Sequence, residues 1–160
     1  MADPIAPPAA RGPAEALQLV SIAVSDGDLE AALAQYEHGA VLRPWADQAA
    51  WHGLTVQSML VRLMQLRLPL ALQVHEIVQA GRGGPGGSSP QGSAERQGPA
   101  GSSPPDPGEV GLVLGSRRIA GRGPGCERVD LRGDGATVVR RHRDGSWRIV
   151  VDAWRLDGSS

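Results

Sequence analysis

The stretch Val150-Val151-Asp152-Ala153-Trp154 sets a carboxylate among apolar neighbours, near the end of a 160-residue chain. An acid in that company must find a hydrogen-bond partner or water, or hold its proton more tightly than usual. Two roles fit Asp152: a proton shuttle in an apolar site, or a structural acid accepting hydrogen bonds from Thr137 or an arginine. Tyr36 and Trp154 suit the wall of a binding site better than its chemistry. Arg43 and Trp45 could meet an anionic or aromatic group, or stand in water at a rim. The four histidines, His38, His52, His75 and His142, show no pair at helical ligand spacing, so neither a metal nor another cofactor is expected.

The elements must aim these side chains. Residues 136–154 alternate, turn at Asp144-Gly145, and alternate again. Asp-Gly is a preferred pair for a two-residue type I′ hairpin turn. That turn, or a four-residue loop at 143–146, predicts His142 opposite Trp147, Arg141 opposite Arg148, Val139 opposite Val150, and Thr137 opposite Asp152. Only an odd-length loop would break the register. Alternation then assigns Thr137, Val139, Arg141, Arg148, Val150, Asp152 and Trp154 to one face. Val138, Arg140, His142, Trp147, Ile149 and Val151 take the other. Arginines directly opposed are unfavourable unless solvated or holding an anion. Arg141 and Arg148 lie some 13 Å from Asp152 at about 3.3 Å per residue, too far to pair directly. On these grounds the Asp152 carboxyl is expected above its ordinary range. The apolar group Trp147, Ile149 and Val151 predicts a homodimer through the sheet.

Upstream, Pro13 suits a first helical position, and Leu17, Val20 and Val24 share a face. The run Ser25–Asp28 ends that helix. Asp28 caps a second, 29–36, carrying Leu29, Leu33 and Tyr36. A short strand follows at 39–45, then a Trp51-His52-Gly53 turn. Thr55 caps a third helix closed by Pro69. Residues 70–80 and 109–120 read as strands. The order predicts an α+β fold: an antiparallel sheet behind three N-terminal helices, with a buried set including Leu17, Val20, Leu33, Leu60, Leu63, Leu72, Val74, Val113 and Val139.

Residues 1–11 read as a disordered tail and 157–160 as another, flanking a single domain at 12–156. Residues 81–108 are almost all Gly, Pro, Ser and polar, and are expected as a flexible insertion within that domain. A lid over a pocket is its functional alternative.

Net charge is −1, which gives no general attraction to nucleic acid or anionic membrane. The start lacks an apolar core of a secretory signal, and no run reaches the roughly 18 residues of a membrane helix. Cys126 has no partner for an internal disulfide, in keeping with a cytoplasmic protein. Every basic residue is arginine, and lysine, asparagine and phenylalanine are absent, as in a GC-rich bacterial genome. Gly81-Arg-Gly-Gly-Pro-Gly86 has glycines at phosphate-cradle spacing, but no helix follows it. The basic run 140–148 alternates its side chains to both faces of a hairpin, which argues against nucleic-acid binding.

The helix break at Gly27-Asp28, the Ala40-Val41-Leu42 strand, the Trp51-His52-Gly53 turn and the hairpin closing on Val150–Trp154 resemble the nuclear transport factor 2-like superfamily. Within it, the chain is similar to the ketosteroid-isomerase-like and SnoaL-like branches over about residues 13–154. The resemblance implies a cone with a central, mostly apolar pocket, and members that dimerise through the sheet. It implies binding of an apolar or polycyclic small molecule, with proton transfer, isomerisation or cyclisation as the chemistry of catalytic members. A non-catalytic ligand-binding or dimerisation module is the alternative. The residues of steroid isomerases do not carry over. Their first-helix tyrosine falls near Val20, their first-strand base at Arg43 to Trp45, and their second acid at Thr137. The tyrosine of the second helix matches Tyr36, and the last strand places Asp152 and Trp154 on the pocket side. The expected site is therefore Asp152 as acid or base, with Tyr36, Trp45, Thr137, Val139, Val150 and Trp154 around the ligand.

Overall fold

A computed structural model of the chain describes residues 7–44, 55–80, 108–155 and 157–158. Three helices precede the body of the sheet. Helix α1, Pro13–Asp26, starts with proline at its first turn and stops at Gly27, whose φ of 75° takes the left-handed conformation and returns its N–H to Ala23 and Val24. Asp28 caps α2, Leu29–Leu33, by accepting the Ala31 N–H at 2.9 Å. Thr55 caps α3, Val56–Gln65, through the Ser58 N–H at 3.1 Å.

The strands are β1, Tyr36–Pro44; β2, Leu70–Ala80; β3, Val110–Arg122; β4, Arg128–Arg141; β5, Trp147–Trp154; and the short β6, Asp157–Gly158. Their order is β1-β5-β4-β3-β2, with β6 beside β4. Pairing is antiparallel from β2 through β5, as expected, but β1 joins β5 in parallel. No hairpin links these two strands, so no tight turn dictates their direction. Tyr36 opens β1 opposite Ile149, where the sequence pattern had continued α2 through it. Gln35 forces the change: buried between the two elements, it receives the Ile149 N–H on its carbonyl and donates its side-chain amide to Pro8. Residues expected as tail are fixed here too, since Ala10 is buried and its carbonyl accepts the Trp147 N–H at 2.9 Å. Trp45, His52 and the insertion between Ala80 and Gly108 lie outside the described residues.

One core forms between the helices and the inner side of the sheet. Leu17, Val20, Leu60, Leu63, Val113 and Val139 are buried in it, and Leu33, Leu72 and Val74 pack against it.

The β4–β5 hairpin differs from the expected one. Its loop is five residues long, closed by the His142 N–H on the Ser146 carbonyl at 2.8 Å and stiffened by Asp144, whose Oδ1 accepts from the Ser146 N–H and hydroxyl. Next to it, Arg141 faces Trp147, Arg140 faces Arg148, and Val139 faces Ile149. A bulge at Val150 then absorbs one residue, and beyond it Val138 faces Val151 and Thr137 faces Asp152, the pairing expected. The consequence is a change of face. Trp147 and Ile149, expected outside, are 3% and 0% exposed within the core. The patch from which a dimer was expected is thus not the one the fold presents.

Candidate functional site

Asp152 lies on the inner side of β5 and is fully buried. Its register partner Thr137 donates to Oδ1 at 2.8 Å. Tyr36, at the start of β1, donates its phenol to Oδ2 at 2.8 Å. Trp154, two residues along the same strand, donates its indole N–H to Oδ1. The fourth partner comes from β3: Arg117 reaches Oδ1 through Nη2 at 3.0 Å and Oδ2 through Nη1 at 3.2 Å. Its guanidinium also stacks on the Trp154 ring, 3.6 Å from the centroid.

Backbone geometry makes this stack possible. Gly135 is paired with Trp154, and a Cβ at that position would lie 2.4 Å from the indole. The missing side chain lets the ring lie flat on β4, with the guanidinium of Arg117 on it.

Four of the expected site residues therefore come together: Asp152, Tyr36, Thr137 and Trp154. Val139 is also inside, as core opposite Ile149. Val150 is the bulge residue, half-buried and outside the core cluster, and so departs from the expected set. Arg43 is exposed on β1, opposite Ala153. Arg117 was missed, although its signal is legible. It stands in phase with Val113 and Ile119, which both face the core, and an arginine in such a phase needs an acid across the sheet.

The expectation of an unpaired, desolvated acid is corrected by Arg117. Neither Arg141 nor Arg148 reaches Asp152, but the cation came from the neighbouring hairpin rather than from the acid's own. A carboxylate offers about four acceptor positions. Here Arg117, Thr137, Tyr36 and Trp154 fill them, and a proton could be taken from a substrate only by displacing one of these donors. Burial first, then the adjacent carboxylate, hold the Tyr36 phenol well above its ordinary value of 10.0, with Arg117 opposing them. The phenol is thus fixed as a neutral donor. Among the described residues no group of three His, Cys, Asp or Glu side chains could hold a metal ion.

Comparison with known proteins matches this architecture. No family model matches the chain, and no curated protein sequence does. Solved structures do, over nearly their whole length. A ketosteroid isomerase-like protein from Erwinia carotovora atroseptica superposes with a TM-score of 0.54 at 14% identity, covering 88% of this chain and 90% of that one. A Δ5-3-ketosteroid isomerase from Mycobacterium sp. gives 0.51 at 14% identity, covering 91% and 97%. A protein assigned as a calcium/calmodulin-dependent protein kinase type II association domain, from Thiobacillus denitrificans, gives 0.53 at 15% identity, covering 92% and 97%. The chain has the cone-shaped fold of the nuclear transport factor 2-like proteins. At these identities the likeness is one of fold.

Proposed function

We propose that this chain is a non-catalytic module of the cone fold, acting in the bacterial cytoplasm as a homodimer joined through the outer face of its sheet. The observation that carries this reading is a row of aliphatic side chains across all five long strands. Val41 pairs with Val151, Val151 with Val138, Val138 with Leu112, and Leu112 with Val78. Directly paired residues share a face, so these five point the same way, and the row spans about 19 Å at about 4.8 Å per strand. None belongs to the core cluster, and Val41 and Val78 are exposed. Leu114, Ala136 and Ala153 form a second apolar row beside it. A surface of this kind favours a partner, and a second copy brings the same surface. That a solved protein of this fold carries the assignment of an association domain supports the reading. The saturated acceptors of Asp152 argue against acid–base catalysis. Light scattering at micromolar concentration is expected to give twice the 16.7 kDa chain mass. Val138→Arg is expected to give the single mass with an unchanged circular dichroism spectrum. A wild-type protein that scatters as a monomer would sink the proposal.

A second reading keeps the cone as a binder of a small apolar or polycyclic molecule, with Asp152 as its acid or base. Its support is that Tyr36, Asp152 and Trp154 gather on the inner side, and that an isomerase shares the fold. Native mass spectrometry of protein purified from its host tests it. A retained small molecule whose binding is lost in Trp154→Ala would move the balance to this reading.

A further inference from the structure

We propose that a groove at the β4–β5 turn, away from the Asp152 cluster, binds the oxyanion of a small acid, a carboxylate or a phosphate. The groove has a volume of about 460 Å³ and is lined by Glu37 and His38 of β1, Gly108 ahead of β3, Arg140 and Arg141 of β4, and His142 and Arg143 of the turn. That volume lies within the range of small-molecule sites.

The charges of its lining are unbalanced. Three guanidinium groups stand against one carboxylate, and that carboxylate is already engaged. Glu37 accepts from His142 at 2.9 Å and, loosely, from Arg140 at 3.4 Å. Arg140 also lies directly opposite Arg148 across the hairpin, a like-charge pair that a bound anion would relieve. Among the described residues Arg148 makes one long ion-pair contact, of 3.9 Å, to Asp144. Arg141 gives Nη1 to Glu109 at 3.1 Å, but its Nε is buried and has no hydrogen-bond partner among the described residues. Alternation turns Arg141 to the inner side with Val139, so the donors that face an oxyanion in the groove are those of Arg140 and Arg143. Arg143 forms no ion pair among the described residues. Elsewhere on the surface Arg118 and Arg132 both clasp Asp130, and Arg132 first, then Arg118, hold its carboxyl well below the usual range. A planar or tetrahedral oxyanion is what forked guanidinium donors recognise.

Inorganic phosphate and acetate, each titrated into ¹⁵N-labelled protein at constant ionic strength, test the site. Saturable shifts are expected at the amides of Gly108, His142 and Arg143, and the ion that saturates at lower concentration identifies the source. Arg143→Ala combined with Arg140→Ala is expected to weaken binding at least tenfold. Glu37→Gln, which removes the competing acid, is expected to tighten it several-fold. Arg118→Ala is expected to change nothing. Linear shifts spread over all arginine-bearing surfaces, or binding indifferent to the Arg140 and Arg143 changes, would overturn the proposal.

Discussion

At the scale of single residues, the centre of the molecule is a charge pair that neither partner could occupy alone. Taking Asp152 or Arg117 out of water costs several kcal/mol each, and their attraction repays this only with good geometry and further hydrogen bonds. Bidentate contact, the Thr137 and Tyr36 hydroxyls and the Trp154 indole supply those bonds. Removing one partner strands the other. Arg117→Met or Asp152→Leu alone is therefore expected to destabilise by about 3–5 kcal/mol, whereas the two together are expected to recover most of the loss. Urea unfolding of the three variants gives the coupling, and purely additive losses would refute the pairing. Tyr36 offers a second measurement, because it is the only tyrosine in the chain. Its folded-state value is raised above the unfolded one, so it contributes stability that is complete below about pH 10 and declines as pH rises beyond it. Phenolate absorbance is expected to appear only as the protein unfolds in alkali, and Tyr36→Phe is expected to flatten that alkaline slope. Free titration of the phenol near pH 10 in folded protein would contradict its burial. Alternation and the hairpin count put Asp152, Thr137 and Trp154 on one face, because the bulge at Val150 cancels the longer loop, and the family resemblance added Tyr36. The sequence shows the inward phase of Arg117 on β3 but not its meeting with Asp152, because no local count joins β3 to β5.

At the scale of elements, two small irregularities decide what points inward. The helix starts and the end of α1 were legible, since Pro13, Asp28, Thr55 and Gly27 act within one turn of their own position, but the end of α2 was not. The loop of the last hairpin was not, because Asp144-Gly145 sits equally well in a two-residue and a five-residue turn, and the side chain of Asp144 settles the choice by bonding Ser146. One extra loop residue reverses every face up to the compensating bulge at Val150, which is why Trp147 and Ile149 were placed on the wrong side. The start of β4 was missed for another reason: residues 128–135 mix charges and glycine, and only Val129 and Leu131 offer apolar side chains to the core, so pairing with β3 supplies most of the hold. Gly135, in the same stretch, has the Trp154 ring against it. Gly135→Ala is expected to destabilise by about 1–3 kcal/mol, by driving the indole off β4 and away from Arg117. Tryptophan fluorescence should change with the loss of stability. A variant with wild-type stability and emission would show that the indole does not need the glycine.

At the scale of the whole molecule, the sheet is built by strands far apart in sequence, and its longest interruption falls where the pairing tolerates it. Ala80 and Val110 are register partners, so the chain leaves β2 and re-enters β3 at adjacent points of one ladder. The ladder on either side is complete without the intervening residues: β2 and β3 pair from Leu70 with Ile119 to Ala80 with Val110, broken only by a bulge at His75. Helix α1 packs from the other side, with its Pro13 ring against Gly111. Replacing residues 83–106 by a short Gly-Asn turn thus removes no pairing in the described sheet. Its entropic effect is small and favourable, since closing a loop costs only about 0.6 kcal/mol per doubling of length, and the shortening amounts to roughly two or three halvings. The melting temperature is expected to stay within a few degrees or to rise. A cooperative loss of structure on shortening would mean that the segment is part of the core, and the reading of 81–108 as a flexible insertion would fall with it.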